Sequence, residues 1–387
     1  MTYLDNAATS FPKAPECASA ISNFILENTA NPGRGSYKTS VKATEMLQHL
    51  RIRAATLFGI DDPMRIAIVP SSTYGLNTAI HSIFSTPGNH SAVISPMEHN
   101  AVTRPLWKWC RPSATSITLS GGDGMLMDPG ILRQNVIKLR RKGKKVAIIV
   151  TLSSNITGHV NNIYGISAVA AENGCPLVLD ASQGAGTIDI CVRTLPRLDY
   201  MAIPGHKGLL GPQGTGLLYV APGAPVLPLM FGGTGSGPFD TMTDVMPDAL
   251  ECGTINSPGV AGLIAAIDYV STTGPGRILR HKNSMCNLFA SLLESNSRIL
   301  PLTDRRLPNS GIYSFNIRGM DSQEVARILD SDYGISVRGG FHCSPLGHRS
   351  LGSSDVGAVR ISPGVFTTEK EMQYAAESVL HIASKVV

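Results

Sequence analysis

Two stretches of this chain place reactive side chains where apolar runs stop: Leu177-Val178-Leu179-Asp180-Ala181-Ser182-Gln183 and Ile203-Pro204-Gly205-His206-Lys207-Gly208. Runs of this kind read as buried parallel strands, and open α/β sheets bind ligands beyond the carboxyl ends of their strands. A lysine at one strand end and a carboxylate at another is the pairing that pyridoxal phosphate requires. The lysine holds the aldehyde as a Schiff base, and the carboxylate keeps the pyridine nitrogen protonated so that the ring accepts electrons. Lys207 is therefore read as the Schiff-base lysine and Asp180 as its pyridinium partner. Taken singly, Lys207 would pass for a solvated loop lysine and Asp180 for a helix N-cap.

Other strand ends carry compatible groups. Ser71, Ser72 and Thr73 follow an apolar run and open a helix, where hydroxyls and backbone N–H groups suit a phosphate; a plain cap is the simpler reading. His99 follows another such run and is of a type that stacks on a planar ring, or that serves as a satisfied loop histidine. Asn155 sits where a turn asparagine is equally ordinary. Near the C-terminus, Cys343 lies in a glycine-rich loop beside His342 and Arg338, and neighbouring positive charge favours a reactive thiolate. Arg360, inside a short apolar run, is suited to bidentate pairing with a carboxylate, although a surface ion pair is the usual fate of an arginine.

The elements that must position these groups follow a regular order. Strands are expected near 66–69, 92–95, 116–119, 146–150, 176–180, 200–203 and 216–220, separated by helical stretches, and this alternation predicts a mostly parallel seven-stranded sheet covered on both faces. Residues 1–13 read as extended, followed by helices over about 14–28 and 41–58. Glycine and proline dominate 221–237, a loop. Helices over 259–272 and 280–295 lead to a smaller α+β unit, with strands at 311–316, 335–337 and 359–361, a helix at 322–329, and a closing helix announced by the capping box that begins at Thr368. The expected division is a large domain of 14–257 and a small C-terminal domain of 258–387 joined by the segment 1–13.

With 387 residues, 43% hydrophobic and 16% charged, the chain has the composition of a globular protein, and its net charge of +5 is small for that length. The basic run Arg140 to Lys145 falls between a helix and a strand, as a solvated turn would, so no nucleic-acid partner is expected. The start lacks a signal sequence and no apolar run is long enough to span a bilayer, so the expectation is a cytoplasmic protein without a membrane partner. Seven cysteines without framework spacing and without a Cys-x-x-Cys pair argue against disulfides and a structural metal.

The chain resembles the class V aminotransferase group of pyridoxal-phosphate enzymes, fold type I, and within it the cysteine desulfurases and selenocysteine lyases of the short-loop branch. The resemblance rests on Tyr3-Leu-Asp-Asn-Ala-Ala8, Arg34-Gly35, Glu98-His99, Asn155-Ile-Thr-Gly158, Asp180-Ala-Ser-Gln183, Gly205-His-Lys207, Gly211-Pro-Gln-Gly-Thr-Gly216, Glu251-Cys-Gly-Thr-Ile-Asn256 and Arg338-Gly-Gly-Phe-His-Cys343.

It implies a catalytic set of Lys207, Cys343 and His99. Around the cofactor it implies Asp180 on the pyridine nitrogen, His99 on the ring, Gln183 and Asn155 near the phenolic oxygen, and Ser72, Thr73 and His206 on the phosphate. Thr254 would reach the cofactor phosphate of the neighbouring subunit of a homodimer with shared sites. Arg360, Asn155, Arg34 and Ala8 would meet the substrate. The implied reaction converts L-cysteine to L-alanine and leaves the sulfur on Cys343 as a persulfide for an acceptor protein or a reductant. Selenocysteine lyase and cystine or cysteine C–S lyase are the alternatives on the same fold, and a catalytically silent scaffold is a more distant one. Pro204 departs from the family by replacing a hydroxyl residue that donates to the phosphate. Phe341 replaces the first histidine of a His-His-Cys triplet.

Overall fold

A computed structural model describes residues 1–33, 35–86, 88–109, 116–119, 121–122, 125–234 and 242–385. In chain order the elements are β1 (Thr2–Tyr3), α1 (Cys17–Glu27), α2 (Lys38–Phe58), β2 (Ile66–Val69), α3 (Ser72–Phe84), β3 (His90–Ile94), α4 (Asn100–Trp109), β4 (Ser116–Leu119), α5 (Pro129–Arg141), β5 (Lys145–Thr151), α6 (Ile163–Glu172), β6 (Leu177–Asp180), β7 (Tyr200–Pro204) and β8 (Gly216–Val220). There follow α7 (Ser257–Thr273), α8 (Pro275–Leu293), β9 (Ile299–Pro301), β10 (Tyr313–Ile317), α9 (Ser322–Tyr333), β11 (Ile335–Ser336), β12 (Arg338–Gly340), α10 (Pro345–Ser350), β13 (Ala358–Ile361) and α11 (Glu369–Ser384).

Seven strands form the large sheet in the order β2-β8-β7-β6-β5-β3-β4. Only β8 runs against the others, so the sheet is mostly parallel, as expected. Six of its strands, β2, β3 and β5 to β8, are buried along nearly their whole length because both faces are covered. Along β5, Ile148 and Val150 enter a core built with α2, α5, α6 and α7, while Ala147 and Ile149 enter a second core with α3 and α4. This two-sided packing fixes the register, since a slip of one residue would exchange the faces.

The smaller sheet, in the order β12-β13-β10-β9, is antiparallel and packs on α8, α9 and α11. The stretch expected as one strand at 335–337 is split. β11 pairs in parallel with β1, and the chain then crosses to β12 beside β13. Leu4, fully buried, belongs to this smaller core, so the N-terminal segment is tied to the C-terminal unit.

The expected boundary after residue 257 meets α7, whose Val260, Leu263 and Ile267 share the first large core with Leu50 and Ile203. On that packing we propose that the seam between the units falls one helix later, at Gly274. Among the described residues no helix is long and apolar enough to cross a membrane.

Candidate active site

The carboxyl ends of β3, β5, β6 and β7 lie side by side. Asp180, the last residue of β6, is paired across the sheet with Thr151 on one side and Ala202 on the other. It is 2% exposed, and its Oδ1 accepts a hydrogen bond of 2.9 Å from the Ser182 N–H. Lys207 stands in the turn after β7. That turn is drawn tight because a Cβ on Gly205 would collide with the Thr215 hydroxyl, and one on Gly208 with the Ala185 carbonyl. Burial lowers the Lys207 pKa to about 8; Asp180 opposes this, while Arg360 and Arg338 push it the same way. A lysine so placed exchanges a proton near neutral pH.

His99 lies between β3 and α4. Its Nδ1 accepts from the Ala101 N–H at 3.0 Å, which assigns the ring proton to Nε2. Burial holds its pKa at about 4, and the ring is neutral. Beside it, Glu98 is fully buried. Its Oε1 accepts from the Ser95 hydroxyl at 2.6 Å and from the Thr151 N–H at 2.8 Å, while Oε2 has no partner. Burial raises Glu98 to about 8, so a proton stays on the carboxyl at neutral pH.

At the N-terminus of α3, Ser71 caps the helix by accepting from the Tyr74 N–H at 3.1 Å, and the Ser72 hydroxyl lies 2.8 Å from that of Ser182. The N–H groups of Ser72 and Thr73 occupy the anion-favouring first turn. A buried carboxylate, a desolvated lysine, a neutral imidazole and a helix N-terminus on one sheet edge form the donor set that pyridoxal 5′-phosphate requires.

Cys343 comes to this edge from the other unit. Its carbonyl accepts from the Asn100 N–H at 2.8 Å, which docks the loop on the start of α4 next to His99. The Asn155 side chain grips the loop at two points, donating to the His342 carbonyl at 2.7 Å and accepting from the Ser344 hydroxyl at 2.8 Å. Cys343 is exposed, and both it and His342 have left-handed backbones, with φ of 57° and 51°.

Arg360, on β13, is 2% exposed and donates to the Asn155 carbonyl at 2.9 Å and to Asp5 Oδ1 at 2.7 Å. Its Nε has no partner. Gln183 donates to the Ala7 carbonyl at 2.9 Å, and the Ala8 N–H closes a turn on the Asp5 carbonyl at 3.0 Å. His206 Nδ1 meets the Thr9 hydroxyl at 3.1 Å, which ties that side of the ring to the N-terminal segment. Thr254 is exposed. Arg34 lies outside the described residues.

Several participants were not singled out by the sequence. Asp5 was visible only as part of a motif, and its pairing with Arg360 joins positions 355 apart. Lys13 donates to the His206 carbonyl at 3.0 Å and clasps the turn that carries Lys207. Ser182 and Ser344 are short polar residues whose partners appear only in the folded chain. The basic run from Arg140 to Lys145 spans the turn from α5 into β5, at the opposite edge of the sheet.

The sequence profile of the class-V aminotransferases matches residues 2–374. A probable cysteine desulfurase of Methanothermobacter thermautotrophicus is 32% identical over 98% of this chain and 94% of its own length. A cysteine desulfurase of Shigella sonnei is 29% identical over 89% of this chain and 84% of its own. Among solved structures, the apo cysteine desulfurase of Thermococcus onnurineus NA1 superposes with a TM-score of 0.90 at 27% identity, covering 100% of this chain and 95% of that one.

Proposed function

The chain belongs to the class-V aminotransferase family, and from that premise we propose that it is a pyridoxal 5′-phosphate-dependent cysteine desulfurase. The observation that carries the reading is the docking of the Cys343 loop, through the Asn100 N–H and the Asn155 amide, onto the sheet edge that bears Lys207, Asp180 and His99.

Asp180, Lys207, His99, Ser72 and Thr73 hold the cofactor in this reading, with Gln183 and His206 beside it. When bound, the cofactor supplies an electron sink that allows a proton to leave the substrate α-carbon. Lys207 Nζ takes that proton, a role supported by its pKa near 8. Arg360, with the Asn155 carbonyl fixing its plane, orients the substrate carboxylate through the donor that has no protein partner; Arg34 and Ala8 complete the substrate contacts. The Cys343 thiolate attacks the substrate sulfur. The carbon–sulfur bond breaks, its electron pair returns to the β-carbon, and alanine leaves after protonation while the persulfide stays on Cys343.

Two further parts of the reading rest on exposure. Thr254 stands exposed, which supports a homodimer in which it serves the neighbouring site. Cys343 is exposed beside Phe341, which is 43% exposed, and this supports delivery of sulfur to an acceptor protein. Free thiols at Cys17, Cys175, Cys191, Cys252, Cys286 and Cys343 support a cytoplasmic, reducing location.

The test is release of alanine and sulfide from L-cysteine, with a reductant present, by the wild type and by Cys343→Ala. Activity in the first and its loss in the second is the expected result. Equal activity in both would reassign the protein as a C–S lyase, to be tried on cystine and selenocysteine. No activity in either would overturn the desulfurase reading.

A further inference from the structure

A chain of buried side chains runs behind the Cys343 loop, and its proton positions follow from its ends. His342 Nε2 lies 3.3 Å from the Arg338 carbonyl, which only accepts, so Nε2 carries the proton and Nδ1 is an acceptor. His348 Nε2, 3.3 Å from that Nδ1, must then donate. His348 Nδ1 is left to accept from the Ser353 hydroxyl at 2.8 Å. With the Arg338 carbonyl as the fixed end, the order from Ser353 through His348 to His342 runs in one direction, and the Ser353 hydroxyl has a longer contact of 3.4 Å to the His348 carbonyl beside it.

The two imidazoles are stacked at 5.5 Å and 22°, and the Phe341 ring stands edge-on to His348 at 5.6 Å and 86°. His342, His348 and Ser353 are all buried. Desolvation holds His348 at about 4 and lowers His342 as well, so neither ring carries charge at neutral pH. Each imidazole N–H already faces an acceptor, which leaves neither ring a proton to give to the thiol. The contribution of the chain is geometric. Two consecutive non-glycine residues with left-handed backbones persist only where the surroundings over-determine them, and this chain fixes the side chain of the first.

We propose that His348, oriented by Ser353, is a positioning residue for sulfur transfer: it locks His342, and through it the conformation that presents the Cys343 thiol at the start of α4. The catalytic consequence rests on the desulfurase reading; the conformational one does not. The Phe341 departure fits this arrangement, since its ring packs on His348 where a second polar side chain would compete for it.

The test compares holoenzyme of the wild type, His348→Phe, Ser353→Ala and Ser353→Thr. In the first two variants alanine formation from L-cysteine is expected to fall in kcat by about tenfold or more, with KM within about twofold. Exchange of the substrate α-proton with deuterated solvent should continue at the wild-type rate, because Lys207 and Asp180 are untouched. Ser353→Thr, which keeps the hydroxyl, should retain turnover. Nitrogen-15 spectra of labelled histidine should show the two Nε2–H tautomers in the wild type and loss of that pattern at His342 in His348→Phe.

Unchanged turnover in both His348→Phe and Ser353→Ala would overturn the proposal, as would α-proton exchange falling in step with turnover. If His348→Phe does not fold, Ser353→Ala, which removes one oxygen, decides. Should the wild type form no alanine, the desulfurase reading fails. The positioning claim is then judged by alkylation of Cys343, mapped by peptide mass: a change of about threefold or more in both variants sustains it, and an unchanged rate overturns it.

Discussion

Arg51 and Arg360 are both buried beside a carboxylate, at 2.6 Å from Glu251 and 2.7 Å from Asp5, yet they differ in what they leave unused. Arg51 donates from Nε to the Ile66 carbonyl and from Nη2 to Glu251, whose other oxygen accepts from the Ile68 N–H. That pair leaves no buried atom without a partner and stitches α2 and β2 to the segment before α7. Arg360 has two partners and an idle Nε. Among the described residues, buried side-chain atoms without a partner are Asn28 Oδ1, Glu98 Oε2, Asn316 Oδ1 and Arg360 Nε, and two of these four sit at the candidate active site. Buried polar groups are normally satisfied. An ion pair that leaves no buried atom without a partner marks a fold contact, and one that leaves a buried donor without a partner next to reactive side chains marks capacity for a ligand.

The largest effect that would sharpen this contrast is on stability. Arg51→Met leaves Glu251 buried and uncompensated and should destabilise the protein by about 3–5 kcal/mol in urea unfolding, with turnover per folded molecule unchanged. Loss of turnover in the folded fraction would break the distinction.

Arg360→Lys should act in the opposite sense. Losing the planar fork is expected to lower kcat/KM for L-cysteine by roughly a hundredfold, about 3 kcal/mol, with a smaller change in stability than Arg51→Met. A stability loss equal to that of Arg51→Met would mean that Arg360 is a fold contact too.

A third effect appears as a pH dependence. The Glu98 pKa is raised from 4.5 to about 8, so between these values the folded protein holds a proton that the unfolded chain releases, and this contribution to stability is lost as pH rises. Glu98→Gln removes the titration. Relative to the wild type, the variant should gain stability between pH 5 and pH 8, followed by urea unfolding across that window. Lys207, lowered to about 8, contributes with the opposite sign and only above that window.

The smallest effect belongs to an exposed pair. Arg133 and Glu172 meet at 3.0 Å in the open, and Glu172→Gln should leave both Tm and turnover within error. A measurable change there would show that charge pairing alone, without burial, matters in this protein.

The large sheet was legible because its central strands are buried on both faces, which gives continuous apolar runs such as 146–150. The capping box at Thr368 was legible for a similar reason, since both of its hydrogen bonds lie within three residues. The small unit was less so. β9 is three residues long at a sheet edge, and the split of 335–340 between two sheets depends on β1, more than 330 positions away. In the site, Lys207 and Asp180 announced themselves because each ends an apolar run. The partners of Asn155 and Arg360 did not, because each lies on a distant element, and those of His342, though only four and six residues away, depend on the left-handed turn of its loop.

By itself the sequence determined where the strands of the large sheet end, since local hydrophobicity dictates that, and therefore which side chains stand there. It could not decide which donors stay unsatisfied. That depends on the approach of segments as far apart as Asp5 and Arg360 or Asn155 and Ser344, and hydrogen bonds are directional enough that a shift of one ångström would choose other partners. The tertiary structure made that choice, tying Arg51 into the fold and leaving the buried Nε of Arg360 without a partner beside the Cys343 loop.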